Sequence, residues 1–179
     1  YFLGILRLSC EIEAVQIEEQ RYYEFNNALP DSALIGMMQL VPEDQNFEEI
    51  TMMIDMSPSI GYLLIDRLLG GSGKGYAIQR DFTDIEVAIL RSLFEKITGY
   101  VEESWRDYVE VHSELTSIET NARLVQVYSP EEIVVIVLMR AKIRDLTGNI
   151  SICIPAANLE EMIGRFSSKY ARASKKLDL

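Results

Sequence analysis

Four glycines in six residues, Gly70-Gly71-Ser72-Gly73-Lys74-Gly75, are the stretch of this sequence best suited to unusual chemistry. Glycine-rich loops ending in lysine cradle phosphates when their backbone N–H groups converge on the anion. That task needs a glycine six positions before the lysine and a hydroxyl residue after it, and here those positions hold Leu68 and Gly75. The loop also follows a predicted helix, whereas a phosphate loop leaves a strand and enters a helix N-terminus. Nor does it match G-x-G-x-x-G. Two uses remain. It can be a helix C-cap extended into a mobile connector, or a patch of small residues that lets the backbone or an aromatic side chain of another protein approach closely.

Other reactive side chains are sparse. His112, the single histidine, sits in Val109-Glu110-Val111-His112 and reads as an edge or loop residue rather than the base of a triad. The adjacent acids Glu18-Glu19, Glu48-Glu49, Glu102-Glu103, Glu131-Glu132 and Glu160-Glu161 read as solvated faces. Cys10 and Cys153 lie far apart with no CxxC or Cys/His cluster, so both are expected as free, buried thiols, with no metal and no cofactor. Met37, Met38, Met52, Met53 and Met56 are expected to fill core. No catalytic set emerges, and the expectation is a protein that is not an enzyme.

Composition narrows the partners. The 179 residues carry 17 Lys+Arg against 28 Asp+Glu, a formal net charge of −11. That balance argues against a nucleic-acid groove and against docking of a basic patch on anionic lipid. The apolar start Tyr1-Phe2-Leu3-Gly4-Ile5-Leu6-Arg7-Leu8 is too short to span a bilayer, and with no initiator Met it reads as the beginning of a segment within a longer protein. The basic run from Lys169 reads as a solvated tail or linker.

The elements that position these residues follow from periodicity. Glu11–Glu18 alternates as a strand with one wet face, Ala33–Leu40 is an apolar run of strand length, and Ile50, Met52, Ile54 and Met56 share one strand face. Ser57-Pro58 starts a helix through Ile60, Leu63, Leu64, Leu68 and Leu69 that stops at Gly70-Gly71. Thr83-Asp84-Ile85-Glu86 is a capping box, with Phe82 and Val87 placed for a hydrophobic staple, and Ile85, Ile89, Leu93 and Ile97 mark the stripe of a long helix. Strands are predicted at Leu124–Tyr128, Ile133–Met139 and Asn149–Ile154, and Pro155 and Asn158 open a last helix through Met162, Ile163 and Phe166.

The two halves resemble each other. At an offset of 98, Ile54-Asp55-Met56-Ser57 falls on Ile152-Cys153-Ile154-Pro155 and Arg67 falls on Arg165; at 100, Leu29-Pro30-Asp31 falls on Ser129-Pro130-Glu131. A strand–turn–strand–strand–helix unit used twice implies two units sharing one sheet about a pseudo-twofold axis.

The landmarks Ile54-Asp55-Met56-Ser57-Pro58-Ser59, Leu64 through Gly73, Tyr23-Glu24-Phe25 with Leu29-Pro30, Ile118-Glu119-Thr120-Asn121, Val125 through Glu131, and Ile152-Cys153-Ile154-Pro155 run in order along the chain. Together they resemble the middle domain of the FliM family of flagellar motor switch proteins. The resemblance implies a CheC-like α/β fold: a three-layer α/β/α sandwich with a pseudo-twofold repeat on one mixed sheet. It implies residues 1–168 as one domain, half-repeats at about 11–70 and 109–168, and 169–179 as a basic linker toward a C-terminal FliN-like domain that this sequence does not contain. It further implies a non-catalytic subunit of the cytoplasmic switch ring, at the cytoplasmic face of the inner membrane in the flagellar basal body. Such a subunit binds FliG through the loop Gly70, Gly71, Ser72 and Gly73, with Arg67 beside it. It also contacts neighbouring FliM subunits and meets FliN through that absent C-terminal domain. It relays the binding of phosphorylated CheY, taken up mainly by an N-terminal segment also absent here, into reversal of rotation in chemotaxis.

CheC relatives imply an alternative, a phosphatase of phosphorylated CheY. Their helix pattern is Asp or Ser, then Glu four on, then Asn three further. Around Glu95 it is broken by Arg91 and Thr98, and Glu24 with Asn27 is preceded by Gln20.

Overall fold

The structure, a computed structural model, describes residues 8–74 and 78–177, the side chains at 166 and 168–177 excepted. Tyr1–Arg7 and Gly75 of the stretches read above lie outside the described residues. Along the chain run β1 (Cys10–Arg21), α1 (Tyr22–Ala28), β2 (Ser32–Pro42), β3 (Ile50–Met56), α2 (Pro58–Leu68), α3 (Asp84–Trp105), β4 (Val111–Asn121), a 3-10 turn (Ala122–Leu124), β5 (Ile133–Ile143), β6 (Leu146–Pro155) and α4 (Ala156–Leu177). The strands form one sheet in the order β1-β5-β6-β3-β2-β4.

Every neighbouring pair in that sheet is antiparallel, which corrects the expected mixed sheet. The cause is local. β2–β3 and β5–β6 are hairpins, and a twofold axis normal to the sheet makes the central strands β3 and β6 run oppositely as well. The register carries the repeat in detail. Ile54, whose image at an offset of 98 is Ile152, pairs directly with Ile152, so the axis passes between them. An offset of 101 carries β1 onto β4 and β2 onto β5. Both outer strands bulge at the same place: Val15 is skipped between Ala14 and Gln16, and its image Thr116 between Leu115 and Ser117. The step between the two offsets falls in the β2–β3 connection, which is longer than the two-residue turn Arg144-Asp145 of β5–β6.

The sheet separates two cores. On one face Leu34, Met38, Leu40, Met52 and Met56 pack beneath Ile60, Leu64, Leu90 and Phe94 of the helices α2 and α3, with Met162 of α4 in the same cluster. On the other, a thinner layer of α1, the 3-10 turn and the chain after it sets Tyr22, Phe25, Val125 and Tyr128 over Ile35, Met37, Met53, Ile136 and Cys153. The expected sandwich is present, with one outer layer reduced to short elements. All five methionines named above are buried, and four of them pair across β2 and β3, Met37 with Met53 and Met38 with Met52.

Several elements differ from expectation. Leu124–Tyr128 is not a strand: it crosses the thin face as a cover, with Val125 and Tyr128 buried and Leu124 exposed. The Tyr22 hydroxyl donates to the Val125 carbonyl, and the two rings of Tyr22 and Tyr128 meet edge to face with centroids 5.0 Å apart. The stripe on α3 begins later than predicted, because spacing of four drifts about 40° per step on a 3.6-residue helix. Ile85 is 75% exposed, and Leu90, Leu93, Phe94 and Thr98 form the buried face. The last helix begins at Ala156, directly after Pro155, rather than at Asn158, and continues to Leu177 through the run read as a linker. Past Gly164 that run has no Gly or Pro and is rich in Ala, Lys and Arg, good helix formers. No helix among the described residues is long and apolar enough to cross a membrane.

Candidate interaction surface at the glycine-rich turn

Helix α2 ends as its sequence dictates, and the glycines serve that ending. Leu69 is the C-cap, and Gly70 follows in the left-handed region at φ +88°. The Gly70 N–H donates to the Arg67 carbonyl at 3.1 Å and the Gly71 N–H to the Asp66 carbonyl at 2.7 Å. This pair of bonds is the Schellman closure.

Side chains of the same helix then hold the loop. The Asp66 carboxylate accepts from the Gly73 N–H at 2.7 Å, and the Arg67 guanidinium donates to the Gly71 carbonyl at 2.6 Å. From the β5–β6 hairpin, Arg144 donates to the Ser72 carbonyl at 3.1 Å; it is the described non-glycine residue with positive φ, +53°. A Cβ on Gly71 would overlap the Asp66 carboxylate. One on Gly73, itself at φ +69°, would come within 2.7 Å of Arg67 Cδ and 2.9 Å of Leu8 Cδ1. Residues 70–73 are therefore a built turn, held by Asp66, Arg67 and Arg144.

What the turn offers outward is small and apolar. Leu68 and Leu69 continue the apolar sequence of the helix, yet Leu69 is 71% exposed and Leu68 lies beside it, with Gly70 and Ser72 also exposed. The structure thus brings all five predicted residues together, Arg67 and Gly70 to Gly73. It adds three that sequence reading missed: Asp66, Arg144 and Leu69. A left-handed glycine at position 70 fixes residue 66 as the carbonyl that closes the turn, but the bond from the Gly73 N–H to its carboxylate has no such local signal.

The chain returning toward α3 is clamped nearby. Phe82 stacks on Tyr62 at 4.2 Å, whose hydroxyl donates to the Arg80 carbonyl at 2.7 Å. Arg80 grips Glu86 with two hydrogen bonds of 2.8 and 2.7 Å, and Glu86 with Thr83 completes the capping box. The Arg80 guanidinium holds the Glu86 carboxyl far below its ordinary value, at about 2.

The phosphatase pattern is placed differently. Glu95 and Arg91 are exposed on α3, but Thr98 is buried and its hydroxyl donates to the Glu95 backbone carbonyl at 2.6 Å. Glu24 and Asn27 lie on α1, whereas Gln20 belongs to β1. His112 lies on the edge strand β4, with Nδ1 3.3 Å from Glu102 Oε2. Cys153 is buried and Cys10 half-buried, and both thiols are free.

A family model described as flagellar motor switch protein FliM matches residues 1–171. The chain belongs to the FliM family. It is 30% identical over 165 residues to FliM of Treponema pallidum, covering 92% of this chain and 46% of that protein. It is 29% identical over 170 residues to FliM of Bacillus subtilis, covering 95% and 50%. The chain therefore spans about half the length of these curated FliM relatives. Among solved structures, FliM in the FliG–FliM complex from H. pylori superimposes with a TM-score of 0.78 at 28% identity, covering 90% of this chain and 86% of that one. The H. pylori FliM middle domain gives 0.76 at 26% identity, with 90% and 85% covered. The chemotaxis protein CheX from Vibrio vulnificus, 10% identical with a TM-score of 0.57 and 86% and 90% covered, shares the fold.

Proposed function

We propose that this chain is the FliG-binding middle segment of a flagellar motor switch subunit, working by protein contact rather than by catalysis. The observation that carries the reading is family membership over residues 1–171, joined to its likeness to FliM solved in a FliG–FliM complex. The contact surface is the turn Gly70, Gly71, Ser72 and Gly73 with Arg67, extended by Leu69, whose exposed apolar side chain is the kind of anchor an interface buries. In this reading neighbouring copies stand side by side in a cytoplasmic ring, and binding of phosphorylated CheY elsewhere on the full-length protein biases the arrangement at FliG. A switch of this kind needs two interface arrangements of similar free energy, so a rigid turn that docks as a unit suits it better than a chain that must order on each transition. Burial of Thr98 beside Glu95 supports the non-catalytic reading over the phosphatase one.

Titration with the FliG middle domain tests this. Leu69→Ser and Ser72→Arg alter only exposed side chains and are expected to weaken binding at least about tenfold with unchanged circular dichroism. Binding by both variants as tight as by the parent would refute the assignment of the turn as the contact.

A further inference from the structure

The pseudo-twofold axis also exposes one place where the halves differ. On the thin face of the second half, Tyr128 is buried with its hydroxyl donating to the Thr51 carbonyl at 2.7 Å and close to the Cys153 carbonyl at 3.4 Å. Ala28 is the image of Tyr128 at the offset of 100 found in the sequence. The offsets of the strands make Ala33 the image of Val134, Asp55 of Cys153, Ser151 of Met53 and Asn149 of Thr51. All five image residues line one open cavity of about 390 Å³. It is the space that a tyrosine fills in the other half and an alanine leaves empty in this one.

The lining of that cavity is two-sided. Phe25, Leu29, Ile136 and Leu138 supply apolar walls. The polar part holds Asp55, Ser57, Asn149 and Ser151, with Asp55 and Ser151 direct cross-strand partners and the Asn149 N–H donating to Ser57 Oγ at 2.8 Å. Among the described residues Asp55 is the only ionisable side chain lining the cavity, and its carboxylate has no hydrogen bond or ion pair there. Burial pushes it up to about 6. Asp55 is half-buried and its carboxylate opens into the cavity, so a cation entering there can pair with it while its stem covers the apolar wall.

We propose that this cavity binds an organic cation, with an apolar stem against Phe25 and Leu29 and an ammonium group paired with Asp55. The site is separate from the turn assigned to FliG: it lies at the N-terminal end of α2, and the turn at the C-terminal end, eleven residues or about 16 Å away.

The test uses the whole chain at pH 7.5 with three probes followed by NMR and calorimetry: phenethylamine, Nα-acetyl-lysinamide and the neutral 2-phenylethanol. Saturable shifts at the cavity residues with phenethylamine assign a free arylalkylamine; with acetyl-lysinamide they assign a lysine side chain presented by a protein. Either binding is expected to fall about tenfold or more in Asp55→Asn, and 2-phenylethanol is expected to bind about tenfold less tightly than phenethylamine. Ala28→Tyr, at the exposed rim, is expected to block both amines, and it keeps the test intact if Asp55→Asn fails to fold. No saturable binding by either amine, or equal binding in Ala28→Tyr, would overturn the proposal.

Discussion

Gly70 and Gly71 are adjacent but are glycine for different reasons, and alanine at each position separates those reasons. Gly70 has nothing within 4 Å of a would-be Cβ, so alanine there meets only the cost of the left-handed backbone at φ +88°. That cost is about 1–2 kcal/mol, and the reduced freedom of the unfolded chain offsets about 0.4–1 kcal/mol of it, leaving a net loss of about 1 kcal/mol. Alanine at Gly71 instead forces the Asp66 carboxylate away, breaking its hydrogen bond from the Gly73 N–H. A hydrogen bond to a charged group is worth about 1.5–3 kcal/mol, so the expected loss is about 2 kcal/mol. The two mechanisms diverge in an Asp66→Ala background, where the obstruction is gone. There Gly71→Ala is expected to cost under about 0.5 kcal/mol, giving a coupling energy of about 1.5–2 kcal/mol, while Gly70→Ala keeps its full cost. Urea unfolding of the parent, the three single variants and the two doubles, followed by circular dichroism, supplies every term. An equal cost for Gly71→Ala with and without Asp66 would refute the clamp.

Three further outcomes are expected. Glu86 is held at about 2, below its ordinary 4.5, so the stability it contributes is present above pH 4.5 and lost as pH falls through about 2; Arg80→Ala should move its titration upward, as read from side-chain carboxyl NMR shifts. Cys153 is buried, its thiol pushed up to about 12 by burial, whereas Cys10 is half-buried, so a thiol reagent at pH 8 should titrate one cysteine in the native chain and two in guanidinium. Gly36→Ala drives a methyl into the ring of fully buried Phe94 and should lower stability by about 1–3 kcal/mol in the same urea assay.

How much of this was legible in the sequence depended on whether the signal was local. The end of α2 could be placed, because a left-handed glycine is a local requirement, and so could the capping box at Thr83, because its two bonds span three residues. The repeat was visible at the two strands that flank the axis, since Ile54 and Ile152 sit in equivalent surroundings. Where a segment's role was set by a distant partner, the reading failed. Leu124–Tyr128 has the composition of a strand, but Val125 and Tyr128 are held by hydrogen bonds to residues 103 and 77 positions away. Leu69 fits an apolar helical pattern, and only the Schellman closure turns it outward. Arg144, which supports Ser72, is 72 residues from it along the chain, and no local spacing announces that contact.

The sheet order decides how such a chain can come apart. Among the described residues, β1 belongs to the first half but pairs only with β5 of the second, and β4 of the second half only with β2 of the first. Each half lends its outer strand to the other, so neither closes its own sheet. A polypeptide cut between α2 and α3 should therefore yield two fragments that fold only on meeting, each completing the other, rather than two small autonomous domains. The geometry is that of a strand-swapped dimer of two half-length units within one chain, with α3 as the strap between them. The two copies are not identical: Tyr128 stands opposite Ala28, and a helix that stops at Gly70 opposite one that runs to Leu177.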